Sequence, residues 1–199
     1  MNDTPFFLVL DGIDGCGSST HSKLLKGYLE STGYKVHLTQ EPSDSEIGKL
    51  LRKFLKDPNI PPTTDALMFA ADRDIHYHTE IKKYLDEGMI VISDRYIESS
   101  IIYQSVSSDD ISVEWVKLIN KFADKPDLTI ILDVDPKISL SRKPDQELEK
   151  FENTAFLDKV RNLYLSRAKE EGHEVVNSDD IIEIVQETIQ KIVLEKLKR

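Results

Sequence analysis

Phe6-Phe7-Leu8-Val9-Leu10 runs without a break into Asp11-Gly12-Ile13-Asp14-Gly15-Cys16-Gly17-Ser18-Ser19-Thr20, and this join decides the fold. A short apolar run bounded by an acidic residue and glycine reads as a buried strand. Beyond it, Leu24, Leu25, Tyr28 and Leu29 recur at helical spacing until Gly33 ends the helix. Strand, glycine loop, helix is the setting that a phosphate-binding loop needs. Glycines let successive amides turn inward, and the helix N-terminus adds partial positive charge. A glycine loop alone is equally an ordinary tight turn; its place behind a first buried strand is what favours phosphate. The spacing of Gly12, Gly17 and Ser19 matches G-x-x-x-x-G-K-[ST] except at the lysine, where Ser18 stands.

Outward from the loop, residues 36–39, 89–93, 128–133 and 175–177 form four more short apolar runs that read as strands. Helical patterns separate them. Ile47, Leu50, Leu51, Phe54 and Leu55 make one stripe, stopped by Asp57-Pro58. A long helix starts near Thr64 and passes through Leu67, Met68, Ala71, Ile81 and Leu85 to Gly88. Trp115, Leu118, Ile119 and Phe122 line another, and residues 181–197 close the chain. Strands alternating with helices predict an α/β fold, a parallel sheet covered on both faces. Ligands in such sheets sit at the carboxyl ends of the strands. Residues 141–153 carry Arg142, Lys143, Asp145, Glu147, Glu149 and Lys150 among few apolar residues, which reads as a mobile loop or a solvated helical turn.

At 199 residues the chain predicts a single domain, since about 150 residues make a typical one. With 36 acidic against 26 basic side chains, a net charge of −10 argues against binding along a nucleic-acid polymer. The one cysteine, Cys16, has no partner for an internal disulfide, which suits a reducing, cytoplasmic setting. No run reaches the roughly 18 apolar residues of a membrane helix. Residues 1–5 carry no basic residue ahead of the first apolar run, so no signal peptide is expected.

Two further clusters carry chemistry. Ser93-Asp94-Arg95-Tyr96 falls at a strand end, where the carboxylate could hold Mg²⁺ and the arginine could clamp a phosphate. An adjacent Asp and Arg can equally be a surface ion pair. Phe69, Asp72, Arg73 and His76 lie on or near one face of the long helix. Phe69 read alone is core packing and His76 a satisfied structural histidine, but an arginine on a helix facing the sheet is harder to dismiss.

Together these residues resemble the thymidylate kinase family. Residues 10–15, Thr39-Gln40-Glu41-Pro42 with Gly48 and Arg52, Phe69-Ala70-Ala71-Asp72-Arg73 with His76, and residues 94–100 with Tyr103-Gln104 match in order. Residues 126–134 and Phe151-Glu152, Phe156, Val160-Arg161 and Tyr164 extend the likeness over nearly the whole chain.

The resemblance implies a P-loop three-layer sandwich of five parallel strands with a short lid near 141–153, all in one domain over 1–199. It implies phosphoryl transfer from ATP to dTMP, aided by Mg²⁺, in a homodimer that meets through the helices carrying Asp65 to Tyr77 and Trp115. Carried over by position, Gly12, Ile13, Asp14, Gly15, Cys16, Gly17, Ser18, Ser19 and Thr20 cradle the donor phosphates, with Ser19 and Asp94 at the metal. Asp14 faces the acceptor, Arg95 bridges its phosphate, and Arg52 is a second cation there. Phe69 stacks on the thymine, Arg73 meets its carbonyl, and Tyr103 and Gln104 flank sugar and base. Glu41 and Ser99 are carried over as substrate-binding residues.

The departures from the family pattern are cationic. Ser18 replaces the loop lysine, Gln40 stands where many bacterial members have arginine, and Glu149-Lys150 stands where many have Asp-Arg. Losing one transition-state donor costs about 3 kcal/mol. Three answers stay open: a lid cation (Arg142, Lys143 or Lys150) fills the gap, with Arg142 taken as the catalytic one; the enzyme is slow or prefers another donor; or the protein binds nucleotides without transfer. A kinase for another nucleoside monophosphate is a further alternative.

Overall fold

The computed structural model describes residues 5–142 and 154–198. Five strands, β1 (Phe6–Gly12), β2 (Val36–Gln40), β3 (Ile90–Asp94), β4 (Leu128–Asp133) and β5 (Glu174–Asn177), form one sheet in the order β2-β3-β1-β4-β5. All four pairings are parallel, as the alternation of strand and helix predicts. Side chains on successive residues of β1 point to opposite faces. Leu8 and Leu10 therefore pack with Leu25, Leu29 and Ile189 on one side, while Phe7, Val9 and Val91 pack with Tyr77 and Ile81 on the other.

Helices cover both faces: α1 (Ser18–Ser31), α2 (Glu46–Phe54), α3 (Pro62–His76), α4 (Lys82–Asp86), α5 (Ile97–Ser107), α6 (Val113–Ile119), α7 (Pro136–Ser141), α8 (Thr154–Glu171) and α9 (Ile182–Leu197). Register positions the site. Leu10 and Gln40 are both opposite Asp94, and Gly12 is opposite Leu132, so the carboxyl ends of β1, β2, β3 and β4 open at one edge.

The helical readings need correction in places. The long helix starts at Pro62, not Thr64, and contains a π-helical turn at Tyr77–Ile81 between α3 and α4, which apolar spacing does not signal. α6 stops at Ile119, short of Phe122. Leu24, Leu50, Leu118 and Phe122, all members of predicted stripes, are exposed. Spacing marks which residues share a face, but what covers that face is decided by distant chain. The lid expected at 141–153 lies, beyond Arg142, outside the described residues.

Candidate active site

The loop between β1 and α1 is locked from several directions. Gly15 has φ +80°, and a Cβ there would sit 2.6 Å from the Ser139 carbonyl oxygen. A Cβ on Gly12 would meet the Leu132 carbonyl oxygen at 2.6 Å and Cys16 Sγ at 2.9 Å. Only glycine lets the loop run this close to β4 and α7. The Cys16 amide donates back to the Ile13 carbonyl at 3.0 Å, and Ser139 Oγ donates to the Asp14 carbonyl. Cys16 is buried, and desolvation pushes its thiol up to about 11, so it packs under the loop and is not a nucleophile. Ser18 is buried at the start of α1. Arg142 reaches the loop from its far side, donating to the carbonyls of Gly15 at 3.1 Å and Ser178 at 2.9 Å. Lys143 and Lys150 lie outside the described residues.

Asp94, at the end of β3, accepts a hydrogen bond from Ser19 Oγ, so the two predicted metal residues meet. Its second oxygen, Oδ1, is buried without a hydrogen-bond partner among the described residues. A hydroxyl beside an under-satisfied carboxylate fits Mg²⁺, which completes its octahedron with waters and substrate phosphates. Among the described residues there is no group of three or more His, Cys, Asp or Glu that could hold a metal ion. Both residues border a cleft of about 280 Å³ together with Ser22, Lys23, Thr39 and Gln40.

A second pocket, of about 410 Å³, opens beside the loop at Asp14. It gathers Asp14, Glu41, Arg52, Phe69, Arg73, Arg95, Ser99, Tyr103 and Gln104, every acceptor residue that the resemblance implies. At its mouth Arg95 Nη2 donates to Asp14 Oδ1 at 2.6 Å and Nη1 to Ser99 Oγ at 2.9 Å. Tyr103 Oη donates to Asp14 Oδ2 at 3.1 Å; burial, then the Asp14 charge, holds that phenol protonated. Arg95 has φ +72°, a left-handed conformation that costs about 1–3 kcal/mol in a non-glycine residue and clusters at functional sites.

The pocket floor is an arginine with little freedom. Arg73 Nη2 donates to Glu41 at 2.5 Å, Ser100 Oγ at 2.9 Å and the Tyr96 carbonyl at 3.0 Å, while Nη1 donates to Asn120 at 2.6 Å. His76 holds the other Glu41 oxygen at 3.1 Å and Thr39 at 2.7 Å, the structural role its sequence position suggests. Arg73 Nε and Gln104 Oε1 are buried with no hydrogen-bond partner among the described residues. Arg52 donates to the carbonyls of Ser43 at 2.8 Å and Pro42 at 2.5 Å.

Several supporting residues have roles that the sequence does not assign. Asp11 is fully buried and accepts from Ser99 N at 3.0 Å, Ser99 Oγ at 2.6 Å and Tyr164 at 2.8 Å; burial raises its carboxyl, against the lowering pull of Arg95. Asp72 ties down the segment after Pro42, accepting from Ser43 N at 2.7 Å and from the hydroxyls of Ser43 and Ser45 at 2.5 and 2.6 Å. Both fall inside quoted motifs, a usable signal. Asn120 and Lys23 carry none.

A family model described as thymidylate kinase matches residues 10–189. A probable thymidylate kinase of Pyrobaculum aerophilum is 46% identical over 193 residues, covering 94% of this chain and 97% of that protein. Similar proteins with the same description occur in Pyrobaculum calidifontis, at 44% over 174 residues (86% and 87% covered), and Pyrococcus horikoshii, at 40% over 201 residues (96% and 97% covered).

Proposed function

From the premise that this chain belongs to the thymidylate kinase family, we propose that its two clefts bind ATP and dTMP. The chain is a dTMP kinase, transferring the γ-phosphoryl of ATP to the 5′-phosphate of dTMP to give dTDP and ADP. A phosphate oxygen of dTMP forms the new P–O bond while the bond from the γ-phosphorus to the bridging oxygen breaks, and that oxygen leaves with ADP. Such transfer needs positioning and neutralised charge more than proton transfer.

One observation carries the acceptor assignment. The pocket that Phe69 lines is also lined by Arg73 and Gln104, whose buried donor Nε and buried acceptor Oε1 have no hydrogen-bond partner among the described residues. Unmade buried hydrogen bonds are costly, so a ligand offering an adjacent carbonyl and ring N–H is favoured. Thymine and uracil offer both; cytosine has an amino group in place of the carbonyl. Arg95 and Arg52 would meet the acceptor phosphate, with Asp14 and Ser99 orienting Arg95. The loop from Gly12 to Thr20 would cradle the donor phosphates, with Arg142 bracing it. Ser19 and Asp94 would hold Mg²⁺, which when bound shields the charge between donor phosphates.

The reading without phosphoryl transfer draws on Ser18 alone, against a furnished acceptor pocket, and is not favoured. The test is ADP formation from ATP and Mg²⁺ with dTMP, dUMP, dCMP and dGMP in parallel. Turnover is expected with dTMP, less with dUMP and little with the others; equal turnover of all four would overturn the pocket assignment.

Residues 1–199 are read as one catalytic unit with a lid at 141–153, working in the cytoplasm. No helix among the described residues is long and apolar enough to cross a membrane. A homodimer is supported by exposed Leu67 and Ile75 on α3 and by exposed Leu118 and Phe122 on and after α6.

A further inference from the structure

We propose that Lys23 supplies the positive charge that Ser18 and Gln40 do not, facing the transferred phosphoryl group from the β2 side of the donor loop. The inference rests on the phosphoryl-transfer reading above.

Lys23 follows Ser19 by four residues on α1, so the two share one face of the helix. Helical side chains lean toward the N-terminus and cover the turn before their own Cα. The Lys23 stem therefore covers the turn that carries Ser19, next to Asp94. Both border the 280 Å³ cleft into which Gln40 also opens. The cleft thus adjoins both positions at which this chain lacks a family cation.

Its charge balance points the same way. Asp94, Asp44 and Glu80 border the cleft, and Lys23 is the one cation among its described lining residues. Without Lys23 the charged residues among its described lining are all acidic. Ser22 Oγ and Asp94 Oδ1, both buried at this cleft, also lack hydrogen-bond partners among the described residues, as expected where a ligand completes the site.

Other cations near the loop are committed. Arg142 holds two carbonyl oxygens, Arg52 two more, and Arg95 the Asp14 carboxylate. Lys23 makes no ion pair or hydrogen bond among the described residues. An ammonium on a flexible four-carbon stem acts on phosphate as a movable point charge, so it can serve from a different backbone position than the loop lysine. Lys23 takes no proton in the reaction; it offsets charge on the equatorial oxygens of the group in flight.

The experiment compares wild type, Lys23→Met, Lys23→Arg and the double variant Ser18→Lys/Lys23→Met by steady-state kinetics with dTMP. Lys23→Met should lower kcat about 10²-fold, while Lys23→Arg should stay within about fivefold of wild type. Ser18→Lys should restore most of the loss, a rescue that a merely structural lysine would not show. Calorimetry with Mg²⁺ omitted gives a second readout: wild type should bind ATP more tightly than ADP, and Lys23→Met should lose that preference. Unchanged kcat and an unchanged ATP-over-ADP preference in Lys23→Met would overturn the proposal. Absence of dTMP turnover in wild type would instead strike the kinase reading, and the calorimetric comparison would still decide the role of Lys23.

Discussion

Asp14 and Arg95 lie 81 positions apart, yet a hydrogen bond of 2.6 Å from Arg95 Nη2 to Asp14 Oδ1 joins the loop after β1 to the segment after β3. Parallel pairing of β1 with β3 makes this contact, because the segment after each strand emerges at the same edge. Both side chains are partly open to solvent, so the pair serves geometry more than stability. Arg95→Lys keeps the charge but loses the fork that can hold Asp14 and a phosphate together. The expected result is a fall in kcat/KM for dTMP of about 10²-fold with normal thermal unfolding. Combining it with Asp14→Asn should add little further, the mark of two residues acting as a unit.

On the reading proposed above, Phe69 holds the base by its ring face and takes no part in charge neutralisation. Phe69→Ala should therefore raise KM for dTMP about tenfold or more while kcat stays within a few-fold. A dominant kcat effect in the same steady-state measurement would move Phe69 from base binding to alignment of the phosphate.

Glu98 pairs through both oxygens with Arg167 at 2.7 and 2.8 Å, and His173 lies 3.5 Å away. Burial raises its carboxyl, but the nearby His173 and the two hydrogen bonds and charge of Arg167 outweigh burial and bring it down to about 2. A carboxyl lowered in the folded state stabilises above its unfolded value of about 4.5, and the contribution is lost as pH falls through 2. Glu98→Gln should cost about 3 kcal/mol at pH 7, a gap that narrows between pH 5 and 2. Urea unfolding of both proteins at pH 7, 4 and 2.5 measures it.

Gly48, like the loop glycines, allows a close approach, but without a positive φ: a Cβ there would lie 2.1 Å from the Ser43 carbonyl oxygen and 2.9 Å from Asp72 Oδ1. Gly48→Ala must push the Ser43 segment off Asp72. The expected cost is about 1–3 kcal/mol of stability, with a raised KM for dTMP because Arg52 is bonded to the same segment. Chemical denaturation and kinetics on one preparation report both.

Phe122 is 68% exposed and Leu118 59%, large apolar side chains with neighbours Leu67 and Ile75 also open to solvent. If two copies cover this surface, Phe122→Glu should halve the mass seen by light scattering without unfolding the chain. An unchanged mass would place the interface elsewhere.

Order along the chain was enough to determine the strand–loop–helix opening, the parallel α/β architecture and the residues that gather in the acceptor pocket. The first two follow from local rules, apolar period and glycine geometry; the pocket residues follow from the resemblance of the quoted motifs to the family. Tertiary structure alone decided which partners complete them. Tyr164 reaches Asp11 across 153 positions, and Asn120 reaches Arg73 across 47, because helices from distant segments pack against one another beside the sheet. It decided too that Leu25 is buried while Leu24 is exposed, and that Lys23 opens on the cleft beside Ser19. Helical spacing says which residues share a face. Whether that face meets core, solvent or a phosphate cleft depends on where the rest of the chain comes to lie.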